Sequence, residues 1–158
     1  AALEAAKELQ LTTGGWAPAG YHTTAGPDLA LKAFGLREVH GGSLARRYVT
    51  RSIRNVDDTD GTLVVRLRPG RGTDKTLGYC WTGKWQLPPK ALPAIPFRPV
   101  LAVKALDDDA LGQVEDFLLR FGIKRLNVAG HRDLDPARAW QKQVQAFLQS
   151  AFAQALHK

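Results

Sequence analysis

The chain has 158 residues, 44% of them hydrophobic, which suits one domain with an ordinary buried core over 1–158. One cysteine, Cys80, excludes an internal disulfide and a cysteine-based zinc site. No apolar run reaches the about 18 residues of a membrane helix, no secretory signal opens the chain, and a formal charge of +7 points to an anionic partner.

These features predict a soluble protein of the cytoplasm, or of an organelle matrix such as the mitochondrial one if the chain is processed. The anion would be a phosphate-bearing small molecule, an acidic protein face or, only indirectly, nucleic acid; a merely solubilising basic surface is the competing reading. Methionine is absent, so Ala1 reads as the first residue of a processed or partial chain.

In chain order, residues 1–11 carry a helical rhythm (Leu3, Ala6, then Leu9 or Gln10) that ends in the breaker "TTGGWAPAG". Residues 12–42 are rich in Gly, Pro and Thr, which predicts loop with short strands at most, "REVH" being the best candidate. Ser43 can cap a helix reaching Asn55, with Leu44, Tyr48 and Ile53 or Val56 on its buried side.

Three apolar runs, "GTLVVRLR", "RPVLAVKAL" and "IKRLNVAG", then alternate with helical segments. The helices are predicted over 73–82, over "DDDALGQVEDFLLRFG" with a stripe of Leu111, Val114, Leu118 and Phe121, and over a long C-terminal segment capped by Asp135 with Pro136 behind it. Strand and helix in alternation predict an α/β, Rossmann-like, doubly wound parallel sheet in three layers. The exception is "WQLPPKALPAIPFRP", residues 85–99, with five prolines. It reads either as an arm packed on its own domain or as a docking strap presenting Trp85 and Phe97 to another protein.

The chemistry-bearing residues gather where strands end. After the first run come Gly70, Gly72 and Thr73 at a helix entry, where main-chain N–H groups and the helix dipole suit an anion. Arg68, Arg71 or Lys75 can neutralise a second phosphate oxygen. The same glycines also serve as ordinary strand-to-helix punctuation. Past the third run stand Asn127, Gly130, His131 and Arg132; Arg132 can fork onto an anion, and Asn127 either binds or ties loop backbone. His131 has no partner histidine at metal-ligand spacing and is read as a loop residue.

Asp57, Asp58 and Asp60 precede a strand and are expected to cap and bind turn amides rather than hold Mg²⁺. No triad order, nucleophile elbow or paired carboxylates appear, so neither a catalytic residue nor a metal site is assigned and a non-enzymatic role is favoured.

Together "AALEAAKELQLTTGGWAPAGYHTTAGP", "RSIRNVDDTDGTLVV", "GRGTDKT" and "LNVAGHRD" resemble the molybdenum-cofactor carrier family, within the SLOG superfamily of Rossmann-like, lysine-decarboxylase-like proteins. The resemblance covers most of the chain outside the proline-rich arm. Its G-G-W-x-P-x-G pattern is matched by Gly14, Gly15, Trp16, Pro18 and Gly20, and its Arg/Asn/Asp block by Arg51, Asn55 or its neighbour Arg54, Val56, Asp58, Asp60, Gly61 and Thr62. Its G-G-T-x-x-T loop is matched by Gly72, Thr73 and Thr76, with Arg71 where a glycine is expected, and its L-N-V-A-G block by residues 126–130.

The resemblance implies that Gly70, Arg71, Gly72, Thr73, Lys75, Thr76, Asn127, Gly130 and Arg132 hold a phosphorylated ligand, a nucleotide or the molybdenum cofactor. Gly14, Gly15, Trp16, Asp58 and Asp60 would be structural. It also implies a first strand and a glycine-rich loop directly before the first helix, which this sequence does not contain. The alternative is a non-catalytic subunit that reuses the fold in a larger, organellar assembly, docking through the proline-rich arm or the basic surface.

Overall fold

A computed structural model describes residues 1–23, 25–130 and 140–156. Its first part runs α1 (Ala2–Glu8), β1 (Gly15–Pro18), a small antiparallel ladder of β2 (His22–Thr23) and β3 (Gly26–Pro27), a 3₁₀ turn (Leu29–Phe34) and β4 (Leu36–Val39). β1 and β4 pair in parallel, from Gly15 opposite Leu36 to Pro18 opposite Val39. Gly15–Pro18 is therefore one of the short strands the loop-rich reading allowed, although "REVH" was its best candidate. Gly15 opens it at a φ of 127°, which a side chain would strain, and an added Cβ would press on Asn55 at 3.0 Å. The first helix stops short of Leu11, because Gln10 turns left-handed at a φ of 56°. Its buried residue is Ala5 instead of the Leu3, Ala6, Leu9 row.

The second part runs α2 (Leu44–Asp57), β5 (Gly61–Val65), α3 (Arg71–Thr82), β6 (Val100–Val103), α4 (Asp108–Arg120), β7 (Leu126–Gly130) and α5 (Trp140–Leu156). The Ser43 hydroxyl accepts from the Arg46 N–H and starts α2 as expected. Leu44 points outward at 37% exposure, however, and Val56 is the residue that α2 buries. Asp107 caps α4 by accepting from the Ala110 N–H at 2.9 Å, and Asp108 and Asp109 suit the positive end of its dipole. Ala110, Val114 and Phe117 are the residues α4 buries, whereas Phe121 is 48% exposed. The expected start of the last helix, at Asp135 and Pro136, lies outside the described residues.

β6, β5 and β7 form a parallel sheet in that order. Every residue of β5 is buried, the pattern of a strand covered on both faces. Leu63 and Val65 pack with Ala5 of α1, Val114 of α4 and Leu148 of α5, while Thr62 faces Cys80 of α3. Burying a leucine such as Leu63 or Leu148 contributes about 1.5–3 kcal/mol. The chain steps from β5 through α3 to β6, then back through α4 past β5 to β7. Right-handed crossovers taken in opposite directions place α3 and α4 on opposite faces, so the sheet is the middle of three layers.

Residues between α3 and β6 form no helix or strand. At its start the arm crosses α3 so closely that a Cβ on Gly78 would lie 2.0 Å from the Gln86 carbonyl oxygen. At its end the Phe97 N–H donates to Trp81 O and the Arg98 N–H to Cys80 O. Trp85 packs against Val56, Tyr79 and Cys80, and the Phe97 ring meets Tyr79 edge-on at 5.9 Å. Both ends of the arm are thus seated on their own chain.

Candidate functional site

β5 and β7 are neighbours, and the elements that follow them, α3 and α5, lie on opposite faces of the sheet. In parallel sheets such a divergence opens a crevice at the carboxyl ends of the strands. Here a cleft of about 630 Å³ is lined by α2, residues 68–70, the first turns of α3, Trp85 and β7.

Of the nine residues expected to bind phosphate, the structure brings Gly70, Arg71, Gly72, Thr73, Thr76, Asn127 and Gly130 to this one cleft. Lys75 is not part of its lining, and Arg132, like His131, lies outside the described residues. Gly70 is the N-cap of α3 and gives it no side-chain cap. The first intrahelical bond runs from the Asp74 N–H to Gly70 O at 2.8 Å. The amides ahead of Asp74 have no acceptor within the helix.

The threonines do something other than the sequence suggested. Thr73, 7% exposed, donates its hydroxyl to the Gly130 carbonyl oxygen at 3.1 Å, joining the start of α3 to the end of β7. Thr76 donates back to Gly72 O within its own helix. Asn127 donates its amide N–H to the Thr62 hydroxyl at 3.3 Å, a tie between β7 and β5. Asp74, the carboxylate nearest the loop, accepts from Arg66 Nε at 2.6 Å, and this bond holds Arg66 more firmly charged.

Sequence reasoning missed the contribution of α2. Tyr48, Arg51, Ser52 and Asn55 all border the cleft. Their spacing of three to four residues marks one helix face, the sequence signal that points to a shared surface. Asn55 also accepts from the Trp16 N–H at 2.7 Å and donates to Trp16 O at 3.2 Å. Its amide thereby pairs β1 as a neighbouring strand would.

The aspartates before β5 are each engaged by partners within the chain. Asp60 accepts from the N–H groups of Lys124 and Arg125, clasping the start of β7. The Arg125 N–H, then that of Lys124, keeps its carboxyl below the usual range. Asp58 accepts from the Trp16 indole N–H at 2.7 Å and from Arg37 at 2.8 Å, in that order of effect on its lowered pKa. The Trp16 ring in turn lies between the guanidinium groups of Arg37 and Arg54, 3.9 and 4.4 Å from its centroid. Asp57 accepts from the Tyr79 hydroxyl. With separate partners these three carboxylates do not converge, and among the described residues no group of His, Cys, Asp or Glu is placed to hold a metal ion.

A parallel α/β layer structure with its cleft at the strand ends defines a Rossmann-like protein. Residues 1–152 match the profile of the Circularly permutated YpsA SLOG family, and the chain belongs to that family. It is similar to the crystal structure of a "Putative molybdenum carrier protein" from Syntrophus aciditrophicus SB, with a TM-score of 0.68 and 21% identity over 98% of this chain and 85% of that one. At that identity the likeness speaks for the fold. No curated protein matches the chain. The resemblance read from four motifs is borne out, and the family match extends through the proline-rich arm. Among the described residues no helix is long and apolar enough to cross a membrane.

Proposed function

We propose that the cleft binds a phosphorylated small molecule, a nucleotide or a pterin such as the molybdenum cofactor, and that the protein holds or carries it. One observation supports this above the others. The amino end of α3, without a side-chain cap, and Arg51, Arg68 and Arg71 border the same cleft, whose described lining includes no carboxylate. Helix amides favour an anion through fixed dipoles, and guanidinium groups bind phosphate oxygens in pairs.

The lining fits both parts of such a ligand. Arg71 and the amides around Gly70 and Gly72 suit a phosphate, and Tyr48 and Trp85 offer aromatic surface to a flat ring. The cofactor would bring a molybdenum ion, for which the described lining provides no thiolate, so these residues would hold the organic part. Carrying is favoured over turnover because Asp74, the acidic group best placed for proton transfer, is engaged by Arg66.

Calorimetric titration with ADP, GDP and inorganic pyrophosphate tests the reading. Heat of binding that shrinks as salt is raised is expected; no binding of any of them at millimolar concentration would sink it. The alternative of a subunit in a larger, organellar assembly is favoured by Leu92 and Ile95 of the arm, which are 48% and 81% exposed. It predicts that the native protein elutes as part of a larger complex.

A further inference from the structure

The proline-rich arm reads in sequence either as an arm packed on its own domain or as a docking strap, and its first residue borders the cleft. Trp85 packs on one side against Val56, Tyr79 and Cys80 and is at the same time part of the cleft lining. Its position is fixed by backbone. Gly83 ends α3 in the left-handed region at a φ of 69°, reversing the chain, and Gly78 lets Gln86 cross the helix at a distance no side chain would permit. Thr82 adds a bond from its hydroxyl to the Lys84 carbonyl and accepts from the Lys84 N–H at 3.2 Å. The indole is therefore a wall held from behind, which loses little freedom when a flat group stacks on it. Tyr48 of α2 borders the same space.

We propose that Trp85 is the specificity-determining residue of this cleft, stacking on the heteroaromatic ring of a ligand whose phosphate lies at the amino end of α3. This rests on the phosphate reading above and adds the ring. The division of labour follows from chemistry: the arginines and helix amides recognise charge and would accept any phosphate, whereas a π-face distinguishes a nucleotide from a bare polyphosphate. The arm's prolines then act inward, stiffening the segment that carries the indole.

The test compares ADP and GDP with inorganic pyrophosphate on the wild-type protein, Trp85→Ala and Trp85→Phe. One base-to-aromatic stack predicts that Trp85→Ala weakens nucleotide binding by about 5- to 150-fold and leaves pyrophosphate unchanged, while Trp85→Phe keeps most of the nucleotide affinity. Nucleotide should also quench part of the emission from the four tryptophans, and that quench should vanish in Trp85→Phe although binding persists. Trp85→Ala binding nucleotide as the wild type does overturns the proposal and leaves the phosphate reading standing. Equal loss of pyrophosphate and nucleotide in Trp85→Ala overturns it too, by showing a structural role. Absence of binding of all three probes to the wild type overturns the phosphate reading and this proposal together. Gly78→Ala is an independent check: displacing the arm at Gln86 is expected to cost nucleotide affinity while sparing pyrophosphate.

Discussion

Thr73 donates its hydroxyl to the carbonyl oxygen of Gly130, so one partly buried hydrogen bond joins the two strand-end segments that line the cleft. Thr73→Val, nearly the same size, leaves that carbonyl without its donor, and stability should fall by about 1 kcal/mol. Thr73→Ser should retain most of it. Urea midpoints at neutral pH check both, and Thr73→Val matching the wild type would remove this tie from the account.

Asn55 pairs with both the N–H and the carbonyl of Trp16, so its loss strips two hydrogen bonds at once. Asn55→Ala should lower stability by about 2 kcal/mol at about 1 kcal/mol per bond. Asn55→Asp keeps the acceptor but loses the donor to Trp16 O, and it should be at least as damaging. Chemical denaturation of the two variants side by side decides whether the amide acts as a surrogate strand.

Arg71 is exposed at the first position of α3, so its replacement changes the ligand site with little cost to the fold. Arg71→Ala should weaken pyrophosphate binding by about 10-fold, the scale of one charge-assisted hydrogen bond, and flatten the salt dependence. Arg71→Lys should keep the charge but lose the paired geometry and fall between them. Unchanged affinity in Arg71→Ala would remove this side chain from the site.

The layered α/β core was legible because β5 carries the apolar stretch Leu63, Val64 and Val65 and because α2 and α4 are capped by Ser43 and Asp107, signals that act within a few residues. The loop that opens the cleft was legible as a strand-to-helix transition at Gly70. What the sequence hid were relations across distance. β1 is stabilised by Asn55, thirty-nine residues away, so "GGWAP" looks locally like a turn. Thr73 suits a phosphate by type, yet its hydroxyl faces Gly130. For Trp85 the sequence leaves self-packing and docking both open, because its place is set by the backbone at Gly78 and Gly83.

Acid should loosen the molecule through Asp58 and Asp60. Both carboxyls titrate below the ordinary value of 3.8, so their contribution is complete above that value and is lost as pH falls through their folded-state values. The double variant Asp58→Asn, Asp60→Asn should be less stable than wild type at pH 7 and should lose less on going from about pH 4 to about pH 2.5. Parallel stability curves for the two proteins across that range would refute the assignment.

Cys80 is fully buried, and desolvation pushes its thiol up to about 11. At pH 8 it is both shielded and protonated, so a thiol reagent should label it only as fast as the α3 region opens. Labelling should become immediate in denaturant. Immediate labelling of the native protein would contradict the packing beneath Trp85.

The pairing of Arg66 with Asp74 has a kinetic side. It engages the acidic group in the first turn of α3, beside a cleft whose described lining carries arginines and no carboxylate. Anions would then be drawn in by long-range attraction before any contact forms, and neutral analogues would have to arrive by unbiased diffusion. Arrival rates, more than residence times, should therefore carry the dependence on ionic strength.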